Sequence, residues 1–104
     1  MYRVEIAASA EADLRAAYDW YLTNASEGVA NRWKHVILEK AESLSSLPHR
    51  CAFAAEHFHH RLELRFIRCF SHLLIFTILK RRVIVLRIRH SSQNPLFPSE
   101  IKVE

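Results

Sequence analysis

Apolar and polar residues alternate sharply where the chain begins. In "YRVEI", Tyr2, Val4 and Ile6 fall on one side and Arg3 and Glu5 on the other, which predicts a short strand. The period then lengthens: Ala10, Leu14, Ala17, Tyr18, Tyr21 and Leu22 recur at helical spacing, so residues 10–23 predict an amphipathic helix. Ser9 is placed as its N-cap, with Glu11 and Asp13 in the first turn, where the helix dipole favours carboxylates. "NASEG" interrupts the pattern, and Ser26 is placed to cap a second helix with the stripe Ala30, Trp33, Val36, Ile37, Ala41 and Leu44. Pro48 disfavours helical backbone at Leu47, so this helix is expected to end there. A linker of about three residues makes the two helices an antiparallel hairpin.

Residues 48–60, "PHRCAFAAEHFHH", show no clean period and read as a loop with extended portions. Strand patterns follow. "LELRFIRCF" sets Leu62, Leu64 and Phe66 against Glu63, Arg65 and Ile67, while "LLIFTIL" is apolar on both faces, as a central strand should be. "VIVLRIRH" sets Ile84, Leu86 and Ile88 against Val85, Arg87 and Arg89. Between these last two runs, Lys80, Arg81 and Arg82 form a charged turn without Gly, Asn or Asp, which predicts a longer loop than a tight hairpin. The order β-α-α-β-β-β gives an α+β domain over residues 1–104: a small antiparallel sheet packed on one face by an N-terminal helical hairpin.

That arrangement has a chemical corollary. If the helices cover the Ile84/Leu86/Ile88 face, Arg87 and Arg89 project from the opposite face, and Arg65 joins them if Leu64 and Phe66 point at the helices. Three guanidiniums then converge on one exposed sheet face. His90 follows Ile88 to the helix side by strict alternation, so it joins the arginines only where the strand bends.

Composition narrows the class. Half of the 104 residues are apolar and a quarter charged, ordinary values for a globular domain. The longest apolar run, Leu73 to Leu79, is far short of the ~20 residues that cross a bilayer. The opening residues lack the basic and apolar regions of a signal peptide, so a cytoplasmic protein with no membrane association is expected. Cys51 and Cys69 lack a CxxC spacing and read as reduced thiols used as small hydrophobes.

Charge is unevenly spread: residues 1–48 carry five basic and seven acidic side chains, residues 49–104 ten and four, within a net charge of +4. The basic second half points to a polyanion or an acidic protein as partner. In "EHFHH", Glu56, His57, His59 and His60 lie close together, but adjacent histidines of an extended chain point apart and no second ligand cluster accompanies them, so no metal and no other cofactor is expected. Trp20, Trp33 and Tyr21 fall in or beside the helix stripes and are assigned to core or hairpin packing.

The opening "YRVEIAASAEADLRAAYDWY", the Leu47-Pro48 helix end and "LLIFTI…VIVLRIRHSSQNPL" together resemble the RelE/ParE superfamily, toxins of bacterial type II toxin–antitoxin pairs often called plasmid stabilisation proteins. The resemblance spans about residues 2–97. It implies a cognate antitoxin that wraps the toxin, as a dimer or hetero-oligomer, and one of two targets. RelE-like members cleave messenger RNA on the ribosome without a metal; ParE-like members poison DNA gyrase. For the ribonuclease branch the resemblance implies Arg65, Arg89 and His90 as catalytic residues and Arg61, Arg68 and Arg87 as substrate-binding ones, with His90 as general acid or base and the arginines on the phosphate. The sequence departs from that branch in lacking a tyrosine near the C-terminus and a lysine pair before the second strand. The alternative from another class is a degenerate, non-catalytic member that binds a protein or nucleic acid.

Overall fold

The computed structural model describes residues 1–103. Strand β1 (Arg3–Ile6) runs directly into helix α1 (Ala8–Asn24), which is followed by α2 (Glu27–Glu42) and the strands β2 (Arg65–Cys69), β3 (His72–Leu79) and β4 (Arg82–His90). The sheet order is β1-β4-β3-β2. The last three strands form the expected antiparallel meander, and β1 adds to β4 in parallel, so the sheet is mixed. A bidentate ion pair from Arg82 to Glu5, at 2.8 and 3.0 Å, fastens β1 to β4.

Ser26 caps α2 as expected, its Oγ accepting the Val29 N–H at 3.1 Å. Ser9 does not cap α1. The Ala7 N–H is still bonded to the Val85 carbonyl of the sheet when the Ala7 carbonyl accepts the first helical bond from Glu11, so the helix starts against the strand and Ser9 lies within it. Helix α2 ends before Leu47, passing through a 3₁₀ turn at Ser43–Ser45, and Leu47 takes a left-handed φ of 50° ahead of Pro48. Leu14 faces Leu38 and Tyr18 faces Lys34 across one groove, which is the antiparallel hairpin. The Tyr18 hydroxyl ties it to Asn31 at 2.6 Å.

Both β-hairpins are tight. Cys69 pairs with His72 and Leu79 with Arg82, leaving two-residue turns in which Phe70 and Lys80 each adopt φ 56°. The longer loop expected at Lys80 is therefore absent. A non-glycine side chain accepts a positive φ there, at a cost of about 1–3 kcal/mol, because the flanking pairs fix the chain reversal.

The sheet's facing differs from simple alternation. Phe76 pairs with Val85 but Ile75 with Arg87, so Leu86 is an extra residue in a β-bulge. Val83 and Val85 consequently point at the helices with Trp33, Ile37, Leu74 and Phe76, whereas Ile84 and Leu86 pack on the opposite side with Leu64, Ile75 and Ile101. After the bulge the phase reverses, returning Ile88 to the helix side. The expectation that Ile84 and Leu86 face the helices fails because one inserted residue exchanges the two faces.

The second face is not bare either. Residues 54–64, with a 3₁₀ turn at Ala55–His59, and the tail beyond His90 fold over it. Phe53 forms a single bridge with Arg65 at the β2 edge, flanked by bonds from Ala54 N–H to Leu64 and from Phe66 N–H to Ala52. Ile101 is buried against Ile75, Ile84 and Leu86. The sheet is thus covered by helices on one side and by irregular chain on the other.

Candidate functional site

Strand register places each arginine. Arg65 pairs with Phe76, and Phe76 with Val85; both partners belong to the helix-side core, so Arg65 lies on the helix side. Its guanidinium donates to the carbonyls of His49 and Cys51, meets Glu63 at 3.4 Å and lies over the Phe53 ring. Arg68, Leu73 and Arg89 form one row on the opposite face, and Phe66, Ile75 and Arg87 the next. The expected convergence of Arg65 with Arg87 and Arg89 therefore does not occur. Leu64 and Phe66 point away from the helices, and that sends Arg65 to the other face.

Arg87 and Arg89 do share the second face, but neither is free. Arg89 donates to Glu56 at 2.6 Å, and both side chains are buried. Burial pushes the Glu56 carboxyl up; the hydrogen bond from Arg89 and the backbone N–H of Leu96 outweigh it and hold the group below the usual carboxylate range. Arg87 forms a bidentate pair with Asp13 of α1 at 2.7 and 2.9 Å and donates to the Glu100 carbonyl at 2.8 Å. Asp13 also accepts the Ile88 N–H at 2.9 Å, taking the acceptor position that β1 vacates when the chain turns into α1. These arginines latch the irregular layer and α1 to the sheet. Arg61 and Arg68 remain exposed, Arg61 lining a surface groove with His60 and Lys102.

The histidines of "EHFHH" are also engaged with backbone. His57 Nδ1 accepts the Leu64 N–H and its ring stacks on Phe53; His60 accepts the Leu62 N–H and donates to the Ile101 carbonyl. Among the described residues no three His, Cys, Asp or Glu side chains gather as a metal centre would require. Cys51 and Cys69 are free, buried thiols, and burial raises both above the usual thiol range.

His90 takes the helix side, in phase with Ile88 beyond the bulge, and does not join the arginines. There it lines a half-open cleft of about 620 Å³ between α1 and the ends of β3 and β4, together with Asp13, Ala17, Trp20, His72 and Gln93. His72 is its cross-strand partner, the two rings standing edge to face at 5.2 Å. Behind His72 an aromatic train runs through Trp33 at 5.1 Å and Tyr21 at 5.3 Å to Trp20. Trp33 is core, as expected, but Trp20 is 58% exposed at the cleft mouth.

Two polar details mark this cleft. The Nδ1 of His90 accepts the Ser92 N–H at 3.0 Å with the Ser92 hydroxyl at 2.7 Å, so the neutral ring carries its proton on Nε2. His72 is only 7% exposed, and its Nδ1 is buried without a partner. Burial, reinforced by His90, lowers its pKa and keeps the ring neutral. His72 carried no signal in the sequence beyond being a lone histidine at a strand start. Its position opposite His90 follows only from the two-residue turn together with the bulge at Leu86, since the turn alone would set His72 opposite Arg89.

With that geometry in place, the chain can be compared with known proteins. Residues 4–95 match the family model described as ParE toxin of type II toxin–antitoxin system, parDE. The chain also resembles a solved structure titled "Chromosomal ParDE TA system from P. aeruginosa", with a TM-score of 0.70 at 20% identity, covering 86% of this chain and 96% of that one. At such identity the likeness is one of fold. No curated protein matches the chain significantly.

Proposed function

Because the chain belongs to the ParE toxin family of type II toxin–antitoxin systems, we propose that it acts by gripping a protein target, DNA gyrase, and not by cutting RNA, and that a cognate antitoxin silences it. The observation that carries this reading is the dispersal of the ribonuclease constellation. Arg65 sits on one face of the sheet, Arg89 is buried on the other in its pair with Glu56, and His90 lines a cleft on the helix side. In-line cleavage of a phosphodiester needs an acid or base and a cationic clamp around one phosphate. Here Arg89, Arg87 and Arg65 are already paired with Glu56, Asp13 and Glu63, and the exposed Arg61 and Arg68 do not line the cleft that holds His90. Gyrase poisoning needs no such centre, only a stable surface.

The test is induced expression followed by two assays: supercoiling by purified gyrase in the presence of the toxin, and primer extension on messenger RNA. Growth arrest with lost supercoiling and intact messenger RNA is the expected result. Codon-phased cuts that disappear in His90→Ala, with supercoiling intact, would overturn the proposal and establish the ribonuclease.

A further inference from the structure

We propose that the Trp20–His72–His90 cleft is a docking site for an acidic peptide segment of a protein partner, seating one carboxylate on ring and amide N–H donors beside an apolar side chain. The inference holds whichever target the toxin poisons.

The donors follow from what is already bonded. His90 carries its proton on Nε2, because Ser92 occupies Nδ1. Gln93 spends its Oε1 on the His90 N–H at 2.8 Å, which leaves its amide N–H groups free. In His72 the buried, unpartnered atom is Nδ1; Nε2 is not among the sealed atoms, and the ring lines the cleft. A neutral ring leaves its orphaned nitrogen as a lone pair more cheaply than as a stranded N–H, which again puts the proton on Nε2. Three side chains thus offer N–H groups around one cavity. Asp13, the carboxylate that lines it, is already committed to Arg87 and the Ile88 N–H. A donor-rich cavity with its own acceptor spent is complementary to an acceptor from outside.

The rest of the lining chooses the class. Ala16 and Ala17 make a shallow apolar floor, and Trp20 and Tyr21 rise beside it, a shape that receives an aliphatic or aromatic side chain. Among the described residues no lysine or arginine lines the cleft. A nucleic-acid strand demands successive cations for its phosphates, whereas a single carboxylate asks only for convergent N–H donors. The net charge of +4 draws an acidic chain in from a distance.

The experiment is calorimetric titration of the purified toxin with a short blocked peptide alternating leucine and glutamate, against its leucine–glutamine analogue and a short oligouridylate. Saturable binding of the glutamate peptide is expected, weaker by about tenfold or more for the glutamine analogue, as loss of a charge-assisted acceptor implies. Trp20→Ala should abolish that binding without changing the thermal unfolding midpoint, because Trp20 lies mostly in solvent. His90→Ala should weaken it independently, with the fold checked by circular dichroism. Equal affinity for the two peptides, no binding of either, or binding unchanged in both variants would overturn the proposal. Preferential, Trp20-dependent binding of the oligouridylate would overturn it in favour of a nucleic-acid site.

Discussion

Arg89 of β4 and Glu56 of the 55–59 turn form an ion pair at 2.6 Å with side chains only 7% and 1% exposed, and the same carboxylate accepts the Leu96 N–H at 3.0 Å. One buried acid thus fastens two irregular segments to the sheet. The two guanidiniums that end an otherwise apolar strand are there to hold the layer that covers it.

Breaking that pair from one side should be costly. Glu56→Ala or Arg89→Ala leaves a buried charge uncompensated, and each is expected to lower stability by about 3–5 kcal/mol. Replacing both with apolar residues of similar volume should recover much of the loss. Urea unfolding of the two single variants and the double variant measures this. Single variants as stable as the wild type would remove the pair from the fold's support.

Acid should unfold the protein in two stages. The folded pKa of His72 lies below its ordinary 6.5, so the unfolded chain binds its proton first and stability declines as pH falls from about that value. Glu56 is held below its ordinary 4.5, so its contribution is intact above that value and disappears as pH falls through the folded pKa. Unfolding midpoints followed from about pH 8 to about pH 3 should lose the upper stage in His72→Gln and the lower stage in Glu56→Gln.

Asp13 serves Arg87 and the Ile88 N–H together. Asp13→Asn keeps an acceptor for the backbone but loses the ion pair; Asp13→Ala loses both. Removing hydrogen bonds to a charged group costs about 1.5–3 kcal/mol, so the alanine variant should be the less stable of the two. Amide exchange at Ile88 should accelerate in the alanine variant and stay near wild type in the asparagine one.

Leu47 and Lys80 hold positive φ angles of 50° and 56° with their side chains in solvent. Glycine at either position relieves the backbone strain and loses little packing, so each substitution should raise stability by about 1 kcal/mol. A shift of the urea midpoint to higher concentration at unchanged slope is the expected reading.

Much of this fold was legible in the chain itself. The α2 start at Ser26, the antiparallel helix pair, the apolar central strand β3 and the order of elements all follow from local periodicity and capping, which depend on residues within a turn or two of one another. The family resemblance rested on those same stretches. What failed in sequence depended on pairing. The facing of Ile84 and Leu86 was reversed by a bulge that no local pattern marks, and the positive φ of Phe70 and Lys80 was imposed by the strands they join.

The sequence by itself therefore determined which segments become helix or strand and that the last strand ends in basic side chains. Only the tertiary structure decided what those side chains meet. Arg87 finds Asp13, Arg89 finds Glu56, and His90 finds His72 across the hairpin, each a partner distant along the chain. The physical reason is that periodicity records a residue's own face, whereas charge neutralisation and cleft formation depend on which faces the register brings together. One inserted residue at Leu86 is enough to change that answer.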